Sequence, residues 1–454
     1  MTQTQQKLKR VLSFWDIYFI ALGQIIGAGV VSLTGVAIGM TGPAVVVAYV
    51  FAAILILLSS VLVMVAGATL PAPGAYYAWS SRLLNGWSGS VVVLLLLLAS
   101  ITISLYGSSF GHYLNPLFPA ISVNGWGIIV TGALFFGNLF GVQMAAKLQI
   151  LLVIILLSAL AVYAGFAMPK INPELLTPMF PKGLLGFAAA VFLLKFATGG
   201  ATLVVGLGGE TKNPRKTIPL AIVTATLTVA VIYSLVALAS VGVTPWEQMV
   251  NQPLSVAGKA FLPGWAMTYF LIGGAGVAIC TTLNAQFIQL PRNFIVASWD
   301  RLIPSWMGSL NRYGSPHWIL CAMFAIGVIP LIAGLDIGAI ARAATVAATL
   351  PALFVYWAIT RIPSKYPQQY AQSLLPLSKS WLWGFFIFAM ISSVTGSVVL
   401  LNGLPIYIIC TLLGWFVLAF FYYPLRKYFL AKQGFDLDSA CSDRALLEQS
   451  CEVQ

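Results

Sequence analysis

Long apolar runs separated by short polar stretches dominate the chain from residue 15 to residue 424. A hydrocarbon core about 30 Å thick takes roughly 20 apolar residues per helix. On that scale the pattern predicts twelve spans, near 15–39, 43–68, 86–112, 124–143, 148–168, 184–208, 217–242, 264–297, 316–334, 338–360, 381–401 and 404–424. The long eighth run is expected to end in a short helix outside the hydrocarbon. The connections leave no room for a separate soluble domain. The expected fold is therefore an all-α polytopic membrane protein, with one transmembrane domain over residues 1–430 and a polar, mobile tail over 431–454.

Two spans break the pattern. The first carries GQIIGAGV at 23–30, three glycines and a glutamine where a plain membrane helix needs none. Gly23 and Gly27 have the G-x-x-x-G spacing of close helix packing, which is one reading. The sixth span, FLLKFATGGATLVVGLGGE at 192–210, is interrupted in the same way at Thr198-Gly199-Gly200. In lipid a broken helix is tolerated only beside a cavity or buried in protein, and interrupted helices at corresponding positions of two repeats point to a transporter's central site. Spans 1 and 6 are five apart, as the first members of two five-helix repeats would be (about 15–168 and 184–360), with 381–424 as additions. A half-helix starting after Gly27–Gly29 presents free N–H groups and a positive dipole end, which suit a carboxylate. The half-helix before it ends in free carbonyls, which suit an ammonium or a metal cation.

Composition narrows the function. The chain is 60% hydrophobic and 7% charged, with a net charge of +12. If both termini are cytoplasmic, eighteen lysines and arginines fall on that side and only Lys170, Lys182 and Lys259 on the other. This positive-inside bias orients the chain in the cytoplasmic (inner) membrane and accounts for the net charge through lipid, without a nucleic-acid partner. The two remaining cations lie within spans. Lys195 falls near the midplane as a proton carrier, substrate counter-charge or fixed cation, while Arg342 is expected to pair with Asp336. Glu210 is expected to cap or brace the end of the sixth span beside the KNPRK loop. Aspartate and glutamate are missing from the middle of every span, which argues against a polyamine and for a zwitterion or anion. The cysteines, Cys280, Cys321 and Cys410 in spans and Cys441 and Cys451 in the tail, support no disulfide framework. Enzyme chemistry is not expected, because the two histidines, His112 and His317, fall at opposite membrane faces. A channel would want rings of charge or carbonyl filters, and no such pattern stands out. No cofactor is expected.

The stretches LSFWDIYFIALGQIIGAGVV at 12–31, PAPGAYYAW at 71–79, GGETKNPRKTIPLAI at 208–222 and TTLNAQFIQLPRNFIVASWDRLIPSWMGSLNRYGSPHW at 281–318 resemble the amino acid–polyamine–organocation (APC) family of secondary transporters. The resemblance covers about residues 12–425. It implies a five-plus-five inverted repeat with discontinuous helices 1 and 6, working by alternating access. It places the substrate carboxylate at the backbone of Ile26, Gly27, Ala28 and Gly29. The amino group would meet carbonyls near Gln24, Ile25 and Phe196, Ala197 and Thr198, and Gly199, Gly200, Ala201 and Thr202 would line the side-chain pocket. Phe196 falls where relatives carry an aromatic that closes the site, and Asn284 matches a recurring family residue that could also serve helix packing. Thr281 and Thr282 could build a sodium site with the first helix. Two features depart from the pattern: helix 5 reads Ile155-Leu156-Leu157 where several relatives carry a titrating lysine, and Gly67 stands near a usual acid of helix 2. The expected function is a permease for a neutral amino acid, proton-linked or exchanging. The alternatives are an amine or organic acid substrate, sodium coupling, or an ion channel.

Overall fold

A computed structural model describes residues 8–115, 118–334, 337–401, 406–443 and 445–452. Among them the chain is helix and connecting loop, with no strand. The helices are α1 (Phe14–Ile25), α2 (Ala28–Thr41), α3 (Val45–Thr69), α4 (Ala75–Trp79), α5 (Gly86–Ala99), α6 (Thr102–Leu114), α7 (Val123–Asn138) and α8 (Val142–Ala167). They continue with α9 (Gly183–Ala197), α10 (Pro214–Val243), α11 (Leu254–Phe261), α12 (Gly264–Tyr269), α13 (Val277–Gln289), α14 (Pro291–Trp299), α15 (His317–Ile332) and α16 (Ile337–Ile359). The remainder are α17 (Ile362–Lys365), α18 (Pro367–Ala371), α19 (Lys379–Leu401), α20 (Ile406–Ala431), α21 (Leu437–Ser442) and α22 (Ala445–Glu452). Seven helical stretches of the described residues are long and apolar enough to cross a bilayer, and shorter apolar helices run over Phe14–Ile25, His317–Ile332 and Thr349–Ile359. The protein is an all-α polytopic membrane protein.

The helix starts follow local chemistry. Ser13 and Asp16 form a reciprocal capping box at the head of α1, with the Ser13 N–H donating to the Asp16 carboxylate at 2.8 Å. Past the cap, Ile17, Ile20, Ala21 and Leu22 are buried where α1 packs against α8, α10 and α13. The eighth apolar run is α12, a π-helical turn over Phe270–Gly276, α13 and then α14, which starts at Pro291. The last span continues through Pro424 to Ala431, beyond the limit that hydropathy gave.

At the end of the bundle that carries the segment before α1 and the tail after α20, charges are buried in pairs. Arg82 donates to both Asp300 oxygens, at 2.5 and 2.8 Å, and the Tyr77 hydroxyl donates to the same carboxylate at 2.5 Å. Arg292 donates to Glu210 at 2.8 and 3.1 Å. Glu210 therefore finds its charge partner on α14, outside the neighbouring basic loop. Its backbone carbonyl accepts the Val11 and Leu12 N–H groups, each at 2.9 Å, and Lys212 N–H donates to Leu12 at 2.8 Å. The segment before α1 is thereby fastened to the chain following the sixth span.

The tail expected to be mobile is packed onto this end. Leu437, Cys441 and Leu447 are buried. Arg82 Nε donates to the Asp443 carbonyl at 3.2 Å, and the Arg301 guanidinium lies 4.5 Å from the Phe435 ring centroid. Asp438 accepts from Lys427 and Tyr423, which hold its carboxyl below the usual carboxylate range. Burial, with the nearby Asp300 carboxylate, pushes the Cys441 thiol up to about 12. Cys280, Cys321, Cys410 and Cys441 are free thiols. Asp336 and the Arg342 side chain lie outside the described residues.

Removing one partner of a buried ion pair leaves an uncompensated charge, at a cost of about 3–5 kcal/mol, whereas replacing both by apolar residues can be neutral. Asp300→Ala should therefore lower the thermal stability of the detergent-purified protein sharply. The double substitution Arg82→Met/Asp300→Leu should recover much of the loss. Equal melting of Asp300→Ala and native protein would show that the pair contributes no stability.

Candidate functional site

The first span is broken at Ile26–Gly27. The Ile26 N–H still reaches the Leu22 carbonyl at 2.9 Å, but Gly27 N–H turns back to Ile25 at 2.9 Å. Gly27 is extended and gives α2 no side-chain cap. The N–H groups of Ala28, Gly29 and Val30, in the first turn of α2, thus have no intrahelical acceptor. On the other side of the break most of the freed carbonyls are taken. Gly23 accepts from Thr282 Oγ1 at 3.1 Å, Ile26 from Thr281 Oγ1 at 3.2 Å, and Ile25 from the Tyr233 hydroxyl at 3.3 Å. Gln24 is the exception, since no donor among the described residues bonds its carbonyl.

The sixth span breaks in a complementary way. α9 ends at Ala197; Thr198 N–H reaches Leu194 at 3.0 Å, and Gly199 N–H reaches Phe196 at 3.2 Å. Gly200 has φ +116°, a conformation that side-chain-bearing residues rarely adopt, and the chain resumes as a 3-10 helix over Ala201–Gly206. The carbonyls of Ala197, Thr198 and Gly199 accept no backbone hydrogen bond among the described residues. The two breaks touch. A Cβ on Gly29 would stand 3.2 Å from Ala197 Cβ, and a Cβ on Gly200 would stand 3.3 Å from the Gln24 carbonyl oxygen. Unpaired N–H groups and unpaired carbonyls are thus concentrated at one junction, which can meet both charges of a zwitterion.

The remaining candidates divide into those at this junction and those away from it. Thr281 and Thr282, on α13, hold the end of α1 by the bonds just described. Ala201 is buried and Thr202 half-buried beyond the sixth-span break, and the Tyr76 hydroxyl lies 3.5 Å from Thr202 Oγ1. Asn284 joins three helices, donating to Ala145 at 3.2 Å and Gln149 at 2.7 Å while accepting from Asn138 at 2.8 Å. Its bonds are those of a positioning residue. Lys195 points away from the junction: its ammonium donates to Ser392 and lies 5.9 Å from the Phe388 ring centroid, both on α19. Helical geometry accounts for this, because Ala197 faces Gly29 and a residue two positions earlier lies about 200° around the helix. Phe196, the aromatic next to Lys195, is 58% exposed.

Two residues at the junction escaped the sequence reading. Gln149 on α8 donates to the Thr281 carbonyl at 3.1 Å, and its Nε2 fills the place where a Gly23 Cβ would stand. Gln149 is thus a residue of α8 that reaches both α1 and α13, with Val153 beside it against Gly23. Its signal was visible, as Gln149 is the one polar side chain between Lys147 and Ser158. Tyr233 on α10 had no such signal.

Comparison with known proteins adds to this geometry. The sequence profile of the family described as amino acid permease matches residues 12–427. The chain is 24% identical to the branched-chain amino acid permease BcaP of Bacillus subtilis, over 73% of this chain and 77% of that protein. It is 28% identical to the vacuolar cationic amino acid transporter 4 of Arabidopsis thaliana, over 67% of this chain and 55% of that protein's length. The methylthioribose transporter of Bacillus subtilis is 24% identical, over 82% of this chain and 85% of its own.

Gly29→Val should place methyl groups against Ala197 and over the free N–H groups of α2, abolishing ligand binding while the protein still inserts. Gly165→Val is the control, since a Cβ there meets nothing within 4 Å. Thermal-shift titration of both purified variants with neutral amino acids reads the difference. Native affinity in a folded Gly29→Val protein would move the ligand away from this junction.

Proposed function

This chain belongs to the amino acid permease family, and on that footing we propose that it carries a neutral α-amino acid across the cytoplasmic membrane by alternating access. The observation that carries this reading is the pair of touching breaks with their unpaired backbone groups. The carboxylate sits on the N–H groups of Ala28–Val30, and the ammonium on the carbonyls of Gln24 and Ala197–Gly199. Relatives named for branched-chain and for cationic amino acids share the α-amino and α-carboxyl groups that such a site would bind. The lack of any acid in the middle of a span favours the neutral members of that class.

The positive-inside bias makes the terminus-bearing end cytoplasmic. The Arg82–Asp300 and Arg292–Glu210 pairs, with the strand-like pairing of Leu12 and Thr211, then close the cytoplasmic side, and inward opening must release them. The five-plus-five inverted repeat supplies the two arrangements between which the chain moves.

Coupling is to protons or to exchange rather than to sodium. The Thr281 and Thr282 hydroxyls already donate to the Gly23 and Ile26 carbonyls, and the neutral Gln149 amide fills the space beside Gly23. A cation entering there would have to displace these bonds. Lys195 is the one titratable group of the sixth span before Glu210 at its end, and its bond to Ser392 on α19 ties its charge to the relative position of two helices.

Proteoliposome uptake tests the substrate class. A neutral amino acid should be transported, and its methyl ester and putrescine-like diamines should compete poorly. Tight diamine binding with no competition from neutral amino acids would overturn the assignment. Coupling is read by imposing sodium and pH gradients separately. Uptake should not require sodium, and any pH dependence should disappear in Lys195→Ala while binding persists. A strict sodium requirement that survives Lys195→Ala would contradict the proton assignment.

A further inference from the structure

Gln289, the last residue of α13, is 1% exposed, and its Oε1 has no hydrogen-bond partner among the described residues. Its Nε2 donates to Gln24 Oε1 at 3.3 Å. Gln24 is itself buried on the last turn of α1, and its Cγ lies 3.1 Å from where a Gly200 Cβ would stand. The amide pair therefore lies against the junction of the two breaks, beside the free Gln24 carbonyl. An unpaired buried amide atom is destabilising, and native structures leave few of them. One bond between two amides leaves polar capacity unused whichever way each amide is turned. If both are reversed, the leftover group is an NH2 instead of a carbonyl oxygen. A hydroxyl can serve either, because it both donates and accepts, and so can a primary amide.

We infer that the Gln24–Gln289 amide pair forms the substrate's side-chain subsite and selects a neutral amino acid whose side chain carries a hydroxyl or an amide. The inference rests on the amino acid reading of the junction and adds the side-chain chemistry. A polar group there completes the hydrogen bonding of Gln289. An aliphatic isostere would enter the same space and leave that amide unpaired, and sites built to hydrogen-bond a substrate group discriminate strongly against the analogue lacking it.

Threonine and valine are near-isosteric and differ by the hydroxyl, so their competition isolates the effect. The measurement is binding of each to the purified full-length protein in nanodiscs, by competition against a bound neutral amino acid and by thermal shift. Threonine should bind about tenfold or more tighter than valine. In Gln289→Met, and separately in Gln24→Met, the preference should collapse towards equality, through loss of threonine affinity with valine little changed. A pair that only joined α1 to α13 would lower the melting temperature in both variants and leave the threonine-to-valine ratio as in native protein, which overturns the inference. Native protein that binds valine as well as threonine also overturns it, while the transport reading stands. Failure to bind any amino acid would overturn both.

Discussion

A backbone N–H or C=O in hydrocarbon needs a partner inside the protein, and each one left without costs several kcal/mol. This chain breaks two of its spans and leaves the freed groups facing one another across the contact of Gly29 with Ala197 and of Gly200 with Gln24. The rest of the interior is arranged around that exposure. Threonine hydroxyls from α13 and Tyr233 from α10 satisfy the Gly23, Ile25 and Ile26 carbonyls. What remains unpaired is a short row of donors on α2 and a few acceptors, a distribution with the polarity of an amino acid's two charges.

Rigidity around the breaks comes from amides more than from charges. Asn138, Asn284 and Gln149 link α7, α13 and α8 in one chain of hydrogen bonds that ends at the Thr281 carbonyl beside α1. Neutral amides hold geometry in a low-dielectric interior without the desolvation cost of an ion pair. The ion pairs lie instead at the terminus-bearing end, where the Arg82–Asp300 pair meets both Tyr77 and the packed tail.

Hydropathy located the apolar helices, and glycine spacing located both breaks, since a run of apolar residues and a loss of helix propensity are local properties. Azimuth and crossing points are not local. The sequence could not say that Lys195 faces α19. Nor could it say that the crossing of α8 with α1 brings Gln149 against Gly23. Gln289 was quoted within a motif, yet nothing in its neighbours marks it as the partner of Gln24, 265 positions away. The tail looked mobile because its composition is polar. Three buried residues, Leu437, Cys441 and Leu447, suffice to dock it, too few for any periodic signal.

The central claim is that backbone groups at the two breaks bind the zwitterion. The most direct measurement is an experimental structure of the full-length protein in nanodiscs with a transported amino acid bound. The carboxylate should lie within hydrogen-bond distance, about 3 Å, of the Ala28–Val30 N–H groups, with the ammonium on the Gln24 carbonyl and those of Ala197–Gly199. A ligand seated elsewhere, with these groups bonded to protein or water, would contradict it.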